Sequence, residues 1–391
     1  FVTLPESNVG PVTFDNVDVL AANPSTELFV SWRDGWHVKD NRFGIWIKNG
    51  DWNGGAMNDD LFNFSTIMGQ IVGVTDQTVS VVLGATQKTW FAGDWVRITS
   101  PAENVVRGYA RIASPNETIG TSLTLTLDRT VTGINTNDVI INEDELNRDS
   151  LVQNCRNYAL GTRGGGSGRI RTPTRFDQDD FNGTYFWLSK GDGNYLEGPV
   201  PANIVFSNTK ISNSGGHLDV TSGRNLLFSN CIFTNTTLAI NSNPNSNIYI
   251  QDVAWVNQAG GNPAMTFSQT QPAYIYGNPT VNGSTTLASW IVKDGGSTIL
   301  YTTPDPLQTP AVGDYDSDGL ADLLETPAGL KNPDTDGDGL PDGYEYEHGM
   351  NPADAADAAK DKDGDGASDF NEYMAGTDPN NPADVFKVEG A

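Results

Sequence analysis

The chain of 391 residues carries 49 acidic against 23 basic side chains, a net charge of −26, which excludes nucleic acid as a partner because a phosphate backbone attracts the opposite sign. No run of about 18 apolar residues is present, so no segment is expected to insert into a membrane. The 42 glycines, with abundant Asn, Thr and Ser, suit many short strands joined by tight bends rather than helices.

The front of the chain, Phe1 with no charged-then-apolar leader, reads as processed or truncated. Val12-Thr-Phe-Asp-Asn16 and Trp36-His-Val-Lys-Asp40 each read as a short strand ending in one kind of bend, as do Leu151-Val-Gln-Asn154 and Arg175-Phe-Asp-Gln-Asp-Asp-Phe181. Further on, Asn203-Ile-Val-Phe-Ser-Asn208, Asn225-Leu-Leu-Phe-Ser-Asn230 and Asn247-Ile-Tyr-Ile-Gln-Asp252 start 22 residues apart. A coil that short cannot bury its inward side chains alone, so the period predicts a parallel β-solenoid over residues 1–67 and 143–300, each coil closed by its neighbours. Asn208, Asn230 and Asp252 then stack at one bend, where side-chain amides bond along the ladder. Cys155 and Cys231 share a phase directly after the bend, about three coils apart. That is on the order of 14 Å, beyond disulfide reach, so both are expected as unpaired core residues.

Residues 68–142 break the period. Ile71–Val74, Thr78–Leu83, Asp94–Ile98, Val106–Ile112, Leu123–Leu127 and Val139–Asn142 alternate like half-buried antiparallel strands, predicting a small inserted β-barrel or sandwich. Leaving the coil just after an Asp pair, the insertion is expected to wall one side of it. Residues 301–312 read as a Pro-rich linker. From residue 313 onward the composition turns acidic, with 21 acidic residues, 4 Lys and no Arg between Ala311 and Ala391.

Three copies of one twelve-residue loop fill that tail: Asp314, Asp316, Asp318, Leu320, Asp322 and Glu325; Asp334, Asp336, Asp338, Leu340, Asp342 and Glu345; Asp361, Asp363, Asp365, Ala367, Asp369 and Glu372. Carboxylates at positions 1, 3 and 5 wrap a hard cation. Gly at position 6 makes the sharp turn, the carbonyl at 7 points inward, and Glu at 12 closes the shell. The expectation is about three structural Ca²⁺ sites. Prolines punctuate the spacers and no long flanking helix is foreseen, so the loops resemble thrombospondin type 3-like calcium repeats of bacterial proteins. That resemblance implies a stalk stiffened by external calcium on a secreted, extracellular or cell-surface protein, with self-association or surface attachment among its partnerships.

Catalytic chemistry is expected in Asp34-Gly35-Trp36-His37 and Asn58-Asp59-Asp60-Leu-Phe-Asn63. Asp34 and Asp59 are 25 residues apart, about one coil, which puts them on adjacent rungs within roughly 5–10 Å. That range spans the carboxylate separations of sugar-cleaving acid–base pairs. The two motifs, the barrel insertion, Gly168-Arg169-Ile170-Arg171-Thr-Pro173 and Asp192-Gly-Asn-Tyr-Leu-Glu197-Gly-Pro-Val200 resemble glycoside hydrolase family 110, over most of residues 1–300. The resemblance implies a right-handed parallel β-helix and an inverting, exo-acting α-1,3-galactosidase. It implies Asp34, Asp59 and Asp60 as acid and base candidates, and Trp36, Asn63, Arg169, Asp192 and Glu197 as sugar contacts. The sequence departs from the family just after Asn63, where Phe64-Ser65-Thr66 replaces an Asn-x-His-Gly pattern, and around Glu197. A galactose-containing glycan is therefore the expected substrate class, with the sugar itself open. Two alternatives stand beside it. One is a non-enzymatic adhesin or fibre protein. The other is a polysaccharide lyase using Lys190, Arg169 or Arg171, which the net negative charge disfavours.

Overall fold

The computed structural model describes residues 12–20, 34–42, 44–53, 60–83, 88–103, 105–115, 117–147, 150–158, 166–190, 198–213, 217–241, 245–259, 261–268, 273–294, 296–301, 332–352 and 354–385. The chain divides into two compact units, Phe1–Thr303 and Pro304–Ala391.

The first unit is a parallel β-solenoid with an inserted barrel. Among the described residues its coils build three parallel sheets. The first has nine strands, from Val12–Asp15 and Ile45–Lys48 through Gly223–Ser229 to Ile299–Leu300. The second has seven short ones, such as Ile232–Thr234. The third has eight, from Trp36–Lys39 and Phe62–Ser65 through Ser167–Ile170 and Tyr185–Leu188 to Ile291–Lys293. The 22-residue period survives as register, with Ile204 opposite Leu226 and Leu226 opposite Ile248.

Each coil turns where a residue adopts the left-handed conformation. Asn16, Asn49, Asn154, Gln178, Asn208, Asn230 and Asp252 follow successive strands of the first sheet, with φ between 51° and 59°. The short polar Asn side chain tolerates this region best after Gly. At each bend the amide still serves the ladder: Asn208 N donates to Ser229 O and Asn230 N to Gln251 O, both at 3.0 Å. Side-chain amides add rungs, as Asn154 Nδ2 to Asn49 Oδ1 at 2.6 Å. A second column, Asn213, Asn235, Asn257 and Asn282, turns the chain into the third sheet. The strand Trp36–Lys39 belongs to that third sheet, so Asp40 ends a different corner from the one foreseen, and Ile45–Lys48 with Asn49 takes its place. Asn230→Val, which puts a β-branched residue at φ 51°, is expected to cost about 1–2 kcal/mol. Asn230→Gly should stay within about half a kcal/mol; denaturant midpoints of the two variants check this.

The core runs down the solenoid axis. Phe176, Phe206 and Phe228 stack on successive coils, with centroids 4.6 and 5.4 Å apart. Cys155 and Cys231 are buried and unpaired, as expected. Burial pushes each thiol up to about 12.

Six antiparallel strands between Gly69 and Asn142 close into a barrel, the six foreseen from alternation. Lys88–Phe91 and Glu117–Gly120 form an additional two-stranded ribbon. Several described contacts of barrel and ribbon with the coils fall at the C-terminal ends of third-sheet strands, at Asp40, Thr66 and Lys190, and Val200 N donates to Glu103 Oε1 at 2.8 Å. Lys88 Nζ, with no exposed side-chain surface, lies 3.1 Å from Asp40 Oδ1 and 3.0 Å from Glu145 Oε2. Arg42 reaches Asp94 at 2.6 Å, and Lys190 Nζ donates to Pro101 O at 2.8 Å.

Candidate functional site

Asp34 and Asp60 immediately precede the strand regions of two adjacent rungs. Trp36 pairs with Phe62, an offset of 26 residues that sets Asp34 opposite Asp60. Gly35 N donates to Asp60 O at 2.8 Å, and Asp60 N to Asp34 Oδ1 at 3.4 Å. The described neighbour of Asp34 is therefore Asp60; Asp59 lies outside the described residues, with Asp192 and Glu197. The barrel contacts described above fall at the other end of these strands from the acid pair.

Strand alternation decides what surrounds the pair. Trp36 points inward. It is 3% exposed and packs edge-on against Phe14 and Trp52, at 5.3 and 5.9 Å. Its expected role as a sugar contact is thus corrected to a core residue. The outward column carries His37, Asn63, Arg169, Trp187 and Asp219 on five successive rungs. Two of these were foreseen as sugar contacts, Asn63 and Arg169. The register adds His37, Trp187 and Asp219 to them.

The column is chemically joined to the pair. His37 Nδ1 lies 2.9 Å from Asp34 Oδ2, and Arg169 Nε lies 3.2 Å from Asp60 Oδ2. Ser167 Oγ donates to Asp60 Oδ1. Burial pushes the Asp34 carboxyl up, but His37, the Asn63 side chain and the Asp60 amide outweigh it and hold the pKa below its ordinary value. Asp34 is therefore ionised at neutral pH. Arg169 lies over the Trp187 ring, 5.5 Å from its centroid. The indole is 38% exposed, an open apolar face beside a cation. Arg171 turns elsewhere and donates to Ser189 O.

In the second unit, the first acidic loop (Asp314, Asp316, Asp318, Leu320, Asp322, Glu325) lies outside the described residues. The other two wrap alike. Asp334 accepts from Gly337 N at 2.7 Å and Gly339 N at 2.9 Å; Asp361 accepts from Gly364 N and Gly366 N at the same distances. Gly339 and Gly366 sit at φ 99° and 100°, where a side chain would be strained. Leu340 N donates to Asp338 and Ala367 N to Asp365, at 2.9 and 2.8 Å. Asp334, Asp336 and Asp338 each offer an oxygen within 4.8 Å of the others, as do Asp361, Asp363 and Asp365.

Each loop leads into a short helix, α1 (Asp342–Glu347) or α2 (Asp369–Ala375). Asp342 and Asp369 act as clasps: Thr335 N and Lys362 N, each at position 2 of its loop, donate to them at 2.7 and 3.0 Å. Glu345 and Glu372, at position 12, are buried with both carboxylate oxygens lacking a hydrogen-bond partner. Burial, then the neighbouring carboxylates, push Glu345 up to about 9 and Glu372 up to about 7. Such a donor set, all oxygen and anionic, fits a hard divalent cation.

No protein-family model and no curated protein matches the chain. Among solved structures, a tailspike of Acinetobacter baumannii bacteriophage AP22, in complex with A. baumannii capsular saccharide, is similar at a TM-score of 0.26 and 12% identity, covering 75% of this chain and 60% of the tailspike. The chain thus spans less than two thirds of that tailspike, and a likeness this distant carries no functional argument.

Proposed function

We propose that the solenoid is the glycan-processing body of an exported protein, with the ladder around Asp34 and Asp60 as its sugar site and the acidic loops as a calcium-stiffened tail. The observation that carries the reading is the juxtaposition on one sheet face. An ionised carboxylate accepts from the backbone amide of a second aspartate across one rung, and an arginine paired with that aspartate and an exposed indole continue the same column. Indole faces stack on sugar rings through their apolar C–H surface. In this reading Asp34 is the base that activates water, and Asp60 or Asp59 is the acid that protonates the leaving oxygen. α-Galactosides and related galactose-containing glycans are the substrate class, following the family 110 resemblance of the flanking motifs.

One observation favours a second reading, a non-catalytic glycan-binding surface. Asp34 and Asp60 are 4% and 2% exposed, and Asp34 accepts from the Asp60 amide as turn-capping residues do. A panel of α-galactosides separates the two when both sugar release and binding are recorded for the intact protein. Release of free galactose with inversion supports the hydrolase. Binding without release supports the second reading, and neither binding nor release removes glycans from the account.

For the tail, the expected outcome of chelation is a lower melting temperature of the second unit. At a calcium concentration near 100 times Kd, the ion contributes about 2.7 kcal/mol per site, on the order of 10–20 °C for a unit this size. Calorimetric scans with calcium and with chelator check it.

A further inference from the structure

Sequence spacing assigns the second loop its ligands from within the twelve residues, yet a further carboxylate reaches the same place from the spacer. Asp338, Glu345 and Asp357 each present an oxygen within 4.8 Å of the other two, close enough for one ion with Ca–O distances of about 2.3–2.6 Å. Asp357 is 4% exposed and Glu345 fully buried. Both Glu345 oxygens, Asp357 Oδ1 and Asp336 Oδ2 are buried without a hydrogen-bond partner among the described residues. No Lys, Arg or His among the described residues pairs with Glu345 or Asp357. Three carboxylates converging this closely, two of them buried, are strongly unfavourable unless a cation sits between them.

We propose that Asp357 is a ligand of the divalent cation held by the second loop, so that this ion ties the spacer, and through it the third loop, to the second. The proposal rests on the calcium reading above and adds a residue and a coupling to it. The mechanical path is continuous. Asp357 Oδ2 accepts from Asn351 N at 2.8 Å, and Ala358 N donates to Asp338 Oδ2 at 3.3 Å. Lys360 N donates to Asp357 O, Phe370 N to Ala358 O, and Asp369 N to Lys360 O, at 2.7, 3.0 and 2.8 Å. Segment 357–360 is thus bonded to the second loop on one side and to the start of α2 on the other. An ion that fixes Asp357 also fixes the frame on which the third loop closes.

The test is calcium titration by calorimetry of the full chain carrying Asp316→Asn and Asp363→Asn, which weaken the other two loops. Adding Asp357→Asn, which keeps an oxygen for the Asn351 amide, is expected to lower the remaining affinity by about tenfold or more. Asp354→Asn, an exposed neighbour with the same charge change, should leave it within about twofold. Equal affinity with and without Asp357→Asn overturns the proposal. So does a parent that binds no calcium while the wild-type chain does. A wild-type chain that binds none fails the calcium reading itself. Should Asp357→Asn unfold the segment, hydrogen exchange in the parent decides: calcium must slow the Ala358 and Lys360 amides, and unchanged exchange there overturns the proposal.

Discussion

Lys88→Met is expected to destabilise the first unit by about 3–5 kcal/mol, the penalty for removing one partner of a buried ion pair and stranding the other. The ammonium lies between Asp40 and Glu145 and also donates to Thr66 Oγ1 and Ile67 O, at 3.1 and 3.2 Å. It thereby seals the ribbon of the insertion to the coils. Burial raises the Asp40 carboxyl, but Lys88, the Ile67 amide and the Thr66 hydroxyl together hold it below its ordinary value. Burial dominates at Glu145 and pushes it up to about 7 despite Lys88.

The signs then follow. A carboxyl whose pKa is raised by folding contributes stability that is present below its unfolded value and lost as pH rises through the folded one. The Glu145 contribution should therefore fade between its ordinary 4.5 and about 7. The Asp40 contribution is lost only as pH falls through its lowered value. In Lys88→Met both carboxyls lose their cation and rise, so the deficit relative to wild type should shrink from pH 8 to pH 5. Thermal melts at the two pH values check it; a deficit under about 1 kcal/mol at pH 8 would mean that the cluster is not a closed buried network.

The second large effect concerns chemistry. Asp34→Asn is expected to lower glycan hydrolysis by about 10²–10⁴-fold, the usual contribution of a positioned acid or base, while binding and melting temperature stay nearly unchanged. Asn keeps an oxygen for the Asp60 amide and loses only the charge that His37 stabilises. Trp187→Ala should act the other way, weakening binding more than turnover, because the indole lies two rungs from the acid pair. Kinetics of both variants against the best substrate of the panel distinguish these outcomes.

The solenoid was legible because physics repeats once per coil. Asn208, Asn230 and Asp252 mark a backbone position that must be left-handed, and the apolar residues before them mark the inward face. The barrel strands were legible for the same reason at period two. Alternation in Trp36-His-Val-Lys sets Trp36 and Val38 on the apolar face, whereas the family resemblance put Trp36 among the sugar contacts; burial and the pairing with Phe62 and Asn63 decide for the core. The 26-residue offset that sets Asp34 opposite Asp60 likewise comes only from the pairing of Trp36 with Phe62. Lys88, Asp40 and Glu145 are far apart in sequence and share no motif, so their meeting is a product of the tertiary fold. The acidic loops were legible as spacing, but Asp357 sits in a spacer whose packing spacing does not encode. Only its exposure separates Trp187 from the buried Trp36 and Trp52.

The central claim, that glycans are handled on the outer column of the third sheet, is tested most directly by a crystal structure of Asp34→Asn with the glycan that binds best. The account predicts a sugar ring lying over the Trp187 indole and hydrogen-bonded to Arg169, with a glycosidic oxygen within hydrogen-bond reach of residue 34 or Asp60. A sugar bound on another face of the solenoid, with this column bare, would contradict it.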